Sequence, residues 1–311
     1  MPQPVVAVVG PTASGKSELS LRLAAGLDGE IINADSMQLY RGMDIGTAKL
    51  TKAERGGVPH HLLDIWDVTE TASVSEYQRL ARAVIADVQA RGRIPVLVGG
   101  SGLYIRAAID NLEFPGTDPV LRARLEGELA TLGPAAMHGK LASADPAAAA
   151  AILPSNGRRI VRALEVIELS GRPFSATLPA YDAVLAAVQI ALAIPRQPLD
   201  ERIAARVRRM FSDGLVDEVR RLADPAAPGG GLRAGLTASR ALGYAQVLRH
   251  LDGDWTEAQA EEETVRATRR FARRQESWFR RDPRVRWLDG SEPVPTFVAL
   301  TAVADPDLAG S

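Results

Sequence analysis

At 311 residues, with 46% hydrophobic but only 5% aromatic residues, the chain can bury a substantial core built mainly from Ala, Leu, Val and Ile. It has no cysteine and four scattered histidines, which excludes disulfides, thiolate catalysis, Cys-ligated zinc and iron–sulfur clusters, and argues against a protein-built transition-metal site. No apolar run reaches the roughly 18 residues of a membrane span, and the first ten residues lack a basic segment and a cleavage site, so a soluble, cytoplasmic protein is expected.

The chain opens with a continuous apolar run, 5–9, bounded by Pro4 and Gly10, as in a strand buried on both faces. A helix follows over 17–27, then a strand at 30–33, a helix at 75–90 and a strand at 94–98 closed by Gly99-Gly100. This alternation predicts a parallel, doubly wound sheet of the P-loop NTPase type, flanked by helices. From about residue 116 the pattern changes to alanine-rich helical segments punctuated by Pro134, Pro146 and Pro154, and strand character returns at 188–194. The predicted organisation is therefore a core of residues 1–115 and 183–311, interrupted by an all-helical insertion, 116–182.

Between the first strand and the first helix lie Gly10, Pro11, Thr12, Ala13, Ser14, Gly15, Lys16 and Ser17, a match to G-x-x-x-x-G-K-[ST] in the context that gives the pattern meaning. Backbone amides and the positive helix end form a nest for phosphate oxygens, Lys16 adds a point charge, and the Ser17 hydroxyl suits Mg²⁺. The second strand delivers Asp35 to a carboxyl strand end, where open α/β sheets build their sites. As a lone residue it is a water-mediated magnesium ligand, a general base or a capping aspartate. Ser101 opens the next helix, as a donor to a departing phosphate oxygen or as a cap. The loop 43–49 carries Asp44, Thr47 and Lys49 without a chemistry of its own, and Asp64 is a further candidate carboxylate for magnesium. His60 and His61 read as structural.

Positive charge gathers late in the chain: nine arginines between Arg266 and Arg286 face only Glu276 and Asp282, which points to a polyanion-binding surface. Ala267, Phe271 and Trp278 read as a core-facing seam of that helix, with arginines on its other faces. In the insertion, Arg158, Arg159 and Arg162 lie at helical spacing suited to a nucleic-acid backbone or to a solvated face.

The set GPTASGKS (10–17), NADSMQLYRGMDIGTAK (33–49), PHHLLDI (59–65), PVLVGGSGLYIRA (95–107), RRIVRALEV (158–166), ALGYAQ (241–246) and RRFARRQESWFR (269–280) resembles the bacterial tRNA dimethylallyltransferases over nearly the whole chain. The resemblance implies transfer of a dimethylallyl group from dimethylallyl diphosphate to N6 of the adenosine 3′-adjacent to the anticodon, with diphosphate released. It implies Asp35 as base and Ser101 as catalytic partner, a P-loop holding the diphosphate with Mg²⁺, and either Arg202 or Arg206 as a further diphosphate ligand. It also implies tRNA contacts by Asp35, Ser36, Met37 and Gln38, by Arg122, by Arg158, Arg159, Ile160, Val161 and Arg162, and by the basic helix through Arg270, Arg273 and Arg274. The partners are then the anticodon stem-loop and the prenyl diphosphate, with no membrane and a monomeric state. The competing readings are a P-loop kinase of small metabolites or nucleosides, which binds ATP, and a non-catalytic nucleic-acid-binding module.

Overall fold

The structure is a computed structural model that describes residues 3–174, 181–291 and 300–301. The chain divides into two compact units, Met1–Ile109 with Ala183–Ser311, and Asp110–Asp182. The smaller unit starts at Asp110 rather than at residue 116.

In the larger unit β1 (Val5–Val9) leads into α1 (Lys16–Gly26), β2 (Gly29–Asn33), the two-residue β3 (His60–His61), α2 (Val74–Ala90), β4 (Ile94–Gly99) and α3 (Gly102–Ile109). All strand pairs are parallel, and the sheet order is β3-β2-β4-β1 followed by β5 (Ala187–Ala193) and β6 (Val285–Asp289). The two short edge strands were not foreseen. A two-residue pairing is too brief for any periodicity, and the Arg284 and Arg286 flanking Val285 mask a strand in charge. β1 is wholly buried because helices cover both sheet faces: Val5, Ala7 and Val9 enter one apolar cluster, Val6 and Val8 the other. The chain moves from β1 to β2 and β4 on one side and to β5 on the other, so the carboxyl end of β1 lies at a reversal of strand order, the place where such sheets open a crevice.

Glu30 of β2 is buried and is satisfied by Arg91, Arg93 and His61, whose Nε2 lies 2.6 Å from a Glu30 oxygen. The hydrogen bond from Arg91, reinforced by those of His61 and Arg93, lowers the carboxyl to about 2 despite its desolvation. His61 is thus structural, as expected.

The smaller unit holds α4 (Pro119–Ala144), α5 (Pro146–Ala151) and α6 (Gly157–Ser170). The α4 run breaks at Gly133, whose φ of 78° is not helical, just ahead of Pro134. Side chains of Asp118, Asp145 and Asn156 cap the three helices, and Leu125, Met137, Leu141, Ile160 and Val161 pack into one apolar cluster.

After β5 the larger unit continues with α7 (Arg196–Ser212), α8 (Leu215–Leu222), α9 (Gly231–Ala234), α10 (Tyr244–Leu251) and α11 (Glu257–Phe279). Among the described residues no helix is long and apolar enough to cross a membrane.

Candidate active site

The loop after β1 takes left-handed conformations at Gly10 (φ 123°), Ala13 (φ 64°) and Gly15 (φ 95°), the kind of backbone from which anion nests are built. Gly15 caps α1 without a side chain, so that helix end keeps its amides for a ligand. Lys16 folds back to donate from Nζ to the Pro11 carbonyl at 2.5 Å. The Oγ of Ser14 is buried with no hydrogen-bond partner. Ser17 is exposed beside Lys16 on the cleft wall.

The same cleft is lined by Asp35, Gln38, Gly100, Arg206, Phe271 and Gln275. Asp35 is held from two sides: its carboxylate accepts the Met37 amide at 2.9 Å, and its own amide donates to Asn33 Oδ1 at 2.9 Å. Asn33 is anchored in turn, its Nδ2 donating to the Leu62 carbonyl at 3.0 Å and its own carbonyl accepting the buried Tyr77 hydroxyl at 3.0 Å. Desolvation lowers Lys16 to about 7, with Arg206 lowering it further and Asp35 opposing them. Arg206 is itself lowered by burial and supported by Asp35. Lys16, Arg206 and Asp35 therefore form one electrostatic cluster, with the cations in excess.

Of the two arginines offered for the diphosphate, Arg206 alone lines the cleft. Arg202 is exposed and reaches the Ser291 carbonyl, whereas Arg206 enters the cleft and donates to the Thr47 carbonyl at 3.3 Å. One helical turn of α7 separates the two fates.

Ser36 lies against Ser101, with 3.4 Å between their Oγ atoms, and Met37 packs against the core. Gln38 lines the cleft and donates from Nε2 to Thr47 O at 3.1 Å. Asp64 does not line the cleft: it and Asp44 bind the buried Lys49 ammonium at 2.6 and 2.7 Å. His60 reaches the cleft, with Nδ1 2.8 Å from the Val58 carbonyl. Among the described residues no cluster of three or more His, Cys, Asp or Glu side chains could hold a metal.

The basic helix corrects the expected core seam. Trp278 is 42% exposed and Phe271 lines the cleft, while Ala260, Thr264, Ala267, Ala272, Gln275 and Phe279 form the buried face of α11. Helical spacing puts Phe271 and Trp278 inward with Ala267, but the packed surface of α11 admits mainly small side chains. Arg270, Arg273 and Arg274 are exposed. Gln275 had no assigned role; its Oε1 accepts the Thr12 amide at 2.9 Å and its Nε2 donates to the Gly100 carbonyl at 2.9 Å, joining the phosphate loop to the end of β4. Gly100 leaves it room, since a Cβ there would come within 2.1 Å of Nε2. The sequence signal was a lone amide within RRFARRQ.

In the smaller unit Arg158 and Arg159 are exposed, as a polyanion contact requires. Ile160 and Val161 are buried, so their side chains belong to that unit's core and not to a surface. Arg122 and Arg162 close on the buried carboxylate of Glu165, and Arg162 also donates to the Pro115 carbonyl at 2.6 Å.

A parallel α/β sheet with a phosphate loop, two cleft cations and an adjacent carboxylate defines a phosphate-binding core of the P-loop class. The family model for IPP transferase matches residues 38–282. The tRNA dimethylallyltransferase of Thermobifida fusca is 68% identical over 294 residues, covering 93% of this chain and 91% of that one. Its counterpart in Streptomyces avermitilis is 69% identical over 287 residues, covering 92% and 90%. A solved tRNA isopentenylpyrophosphate transferase from Bacillus halodurans is 41% identical, superposes with a TM-score of 0.70, and is covered to 95%, with 97% of this chain. A eukaryotic dimethylallyltransferase acting on tRNA superposes with a TM-score of 0.80 at 26% identity, over 93% of this chain and 74% of that one. The chain belongs to the IPP transferase family and is a prenyltransferase.

Proposed function

We propose that the protein transfers the dimethylallyl group of dimethylallyl diphosphate to N6 of the adenosine 3′-adjacent to the anticodon of a tRNA. The observation that carries this reading is the Lys16–Arg206–Asp35 cluster, in which two desolvated cations stand over a phosphate loop beside a fixed carboxylate. The relatives that share nearly the whole chain are tRNA prenyltransferases, which favours this reading over a small-metabolite kinase.

The exocyclic amine is a poor nucleophile because its lone pair is delocalised into the ring, so the site must position it and remove its proton. Asp35, held by Asn33 and the Met37 amide, accepts the N6 proton as nitrogen bonds to C1 of the prenyl chain. The C1–O bond breaks, and its electron pair leaves with the diphosphate. The P-loop amides, Lys16 and Arg206 stabilise the charge that develops there, and Ser101 supplies a hydroxyl nearby. Ser17, exposed beside Lys16, suits a hard cation that takes few protein donors and keeps water and phosphate oxygens; Mg²⁺ held there would neutralise the diphosphate. Ser36, Met37 and Gln38 would face the extruded adenine. Arg158 and Arg159 of α6 and Arg270, Arg273 and Arg274 of α11 would bind the anticodon stem-loop through its phosphates. A cytoplasmic monomer fits this role.

Incubation with unmodified tRNA, radiolabelled dimethylallyl diphosphate and Mg²⁺ tests the reading. Label is expected in the tRNA, on the adenosine next to the anticodon; tRNA that stays unlabelled overturns it.

A further inference from the structure

Loop 43–49 takes no part in the chemistry above, yet its backbone is tied down along its length. Glu218 of α8, 2% exposed, accepts the amides of Asp44, Ile45 and Gly46 at 3.2, 2.7 and 3.2 Å. It also accepts the Tyr244 hydroxyl at 2.5 Å. The Tyr244 ring presses on the loop so closely that a Cβ at residue 46 would lie 2.5 Å from it, so only glycine fits. The next residue, Thr47, offers its carbonyl to both Gln38 and Arg206.

We infer that Glu218 is a positioning residue: by gripping residues 44–46 it fixes the Thr47 carbonyl, which holds Arg206 and Gln38 at the cleft. The inference rests on the proposed roles of those two residues toward diphosphate and adenosine. The chemistry of the position argues for it. A buried carboxyl is costly unless fully hydrogen-bonded, and an apolar side chain of similar volume would fill the space without that cost. What an apolar residue lacks is two oxygens able to receive four donors at once. Glutamine retains only one acceptor oxygen and would turn an amide N–H toward backbone N–H groups.

The test uses the full chain with tRNA and labelled dimethylallyl diphosphate. Glu218→Gln is expected to raise KM for the diphosphate about tenfold while kcat stays within about threefold, the pattern of lost ground-state binding. The double variant Glu218→Gln, Arg206→Ala is expected to show the same KM as Arg206→Ala alone, because residues acting through one another are non-additive. An unchanged KM in Glu218→Gln, or losses that multiply in the double variant, overturns the inference. Should Glu218→Gln fail to fold by circular dichroism, Tyr244→Phe takes its place, with an expected rise of about threefold in KM that again vanishes in the Arg206→Ala background; multiplying losses overturn the inference here too. Wild-type protein that leaves tRNA unlabelled sinks the functional reading instead, and the same double-variant comparison is then read in the affinity for inorganic diphosphate.

Discussion

Two sites, one in each unit, use basic side chains in opposite ways. In the smaller one Arg122 and Arg162 converge on Glu165, whose side chain is fully buried, and their charge is spent on holding α4 to α6. In the larger one Lys16 and Arg206 share a desolvated cleft and bind backbone carbonyls of Pro11 and Thr47. A satisfied pair stabilises a fold, whereas two cations gathered at a nest of amides create a demand for an anion. The difference separates cations gathered for a ligand from cations that hold the structure, although the sequence shows both only as basic side chains on helices.

The largest effect expected from breaking this contrast is at Lys16. Lys16→Ala should lower kcat/KM by about 10³-fold in the label-transfer assay, the scale of losing a charged donor at the leaving group. Its melting temperature should hold or rise, because burial disfavours this lysine's charge. At Glu165 the outcome should invert: Glu165→Ala leaves Arg122 and Arg162 without their buried partner and should cost about 3 kcal/mol, read by denaturant titration. Arg206→Ala should weaken diphosphate binding about 100-fold by calorimetry, while Arg202→Ala, one turn away and exposed, should change it less than about twofold.

The smallest effect sharpens the comparison through pH. Burial pushes Lys16 down to about 7, and a bound anion raises that value, so protonation and binding support each other. The lysine's contribution to affinity for dimethylallyl diphosphate is then fully present below pH 7 and is lost above it, by at most about tenfold per pH unit. Calorimetry from pH 6 to 9 checks this; a flat profile that matches Lys16→Ala would remove the lysine from the binding step.

Part of the site was legible because it is local. The strand-loop-helix context of residues 5–27 predicts the phosphate loop, and Asp35 follows from its place at a strand end. The choice between Arg202 and Arg206 was not legible, since both sit on α7 in the same composition and only the packing of that helix sends one inward. Gln275 and Glu218 were likewise silent, because their partners lie 263 and 172–174 residues away in the chain.

The sequence by itself determined the class of the core, the phosphate loop, the helical insertion and the family resemblance, since these rest on periodicity and on motifs a few residues long. The tertiary structure alone decided which cations meet in the cleft, which carboxylates bind Lys49, and that Trp278 stays partly exposed while Phe271 lines the cleft. Those outcomes depend on desolvation and on packing partners far apart in the chain, quantities that no local pattern of residues encodes.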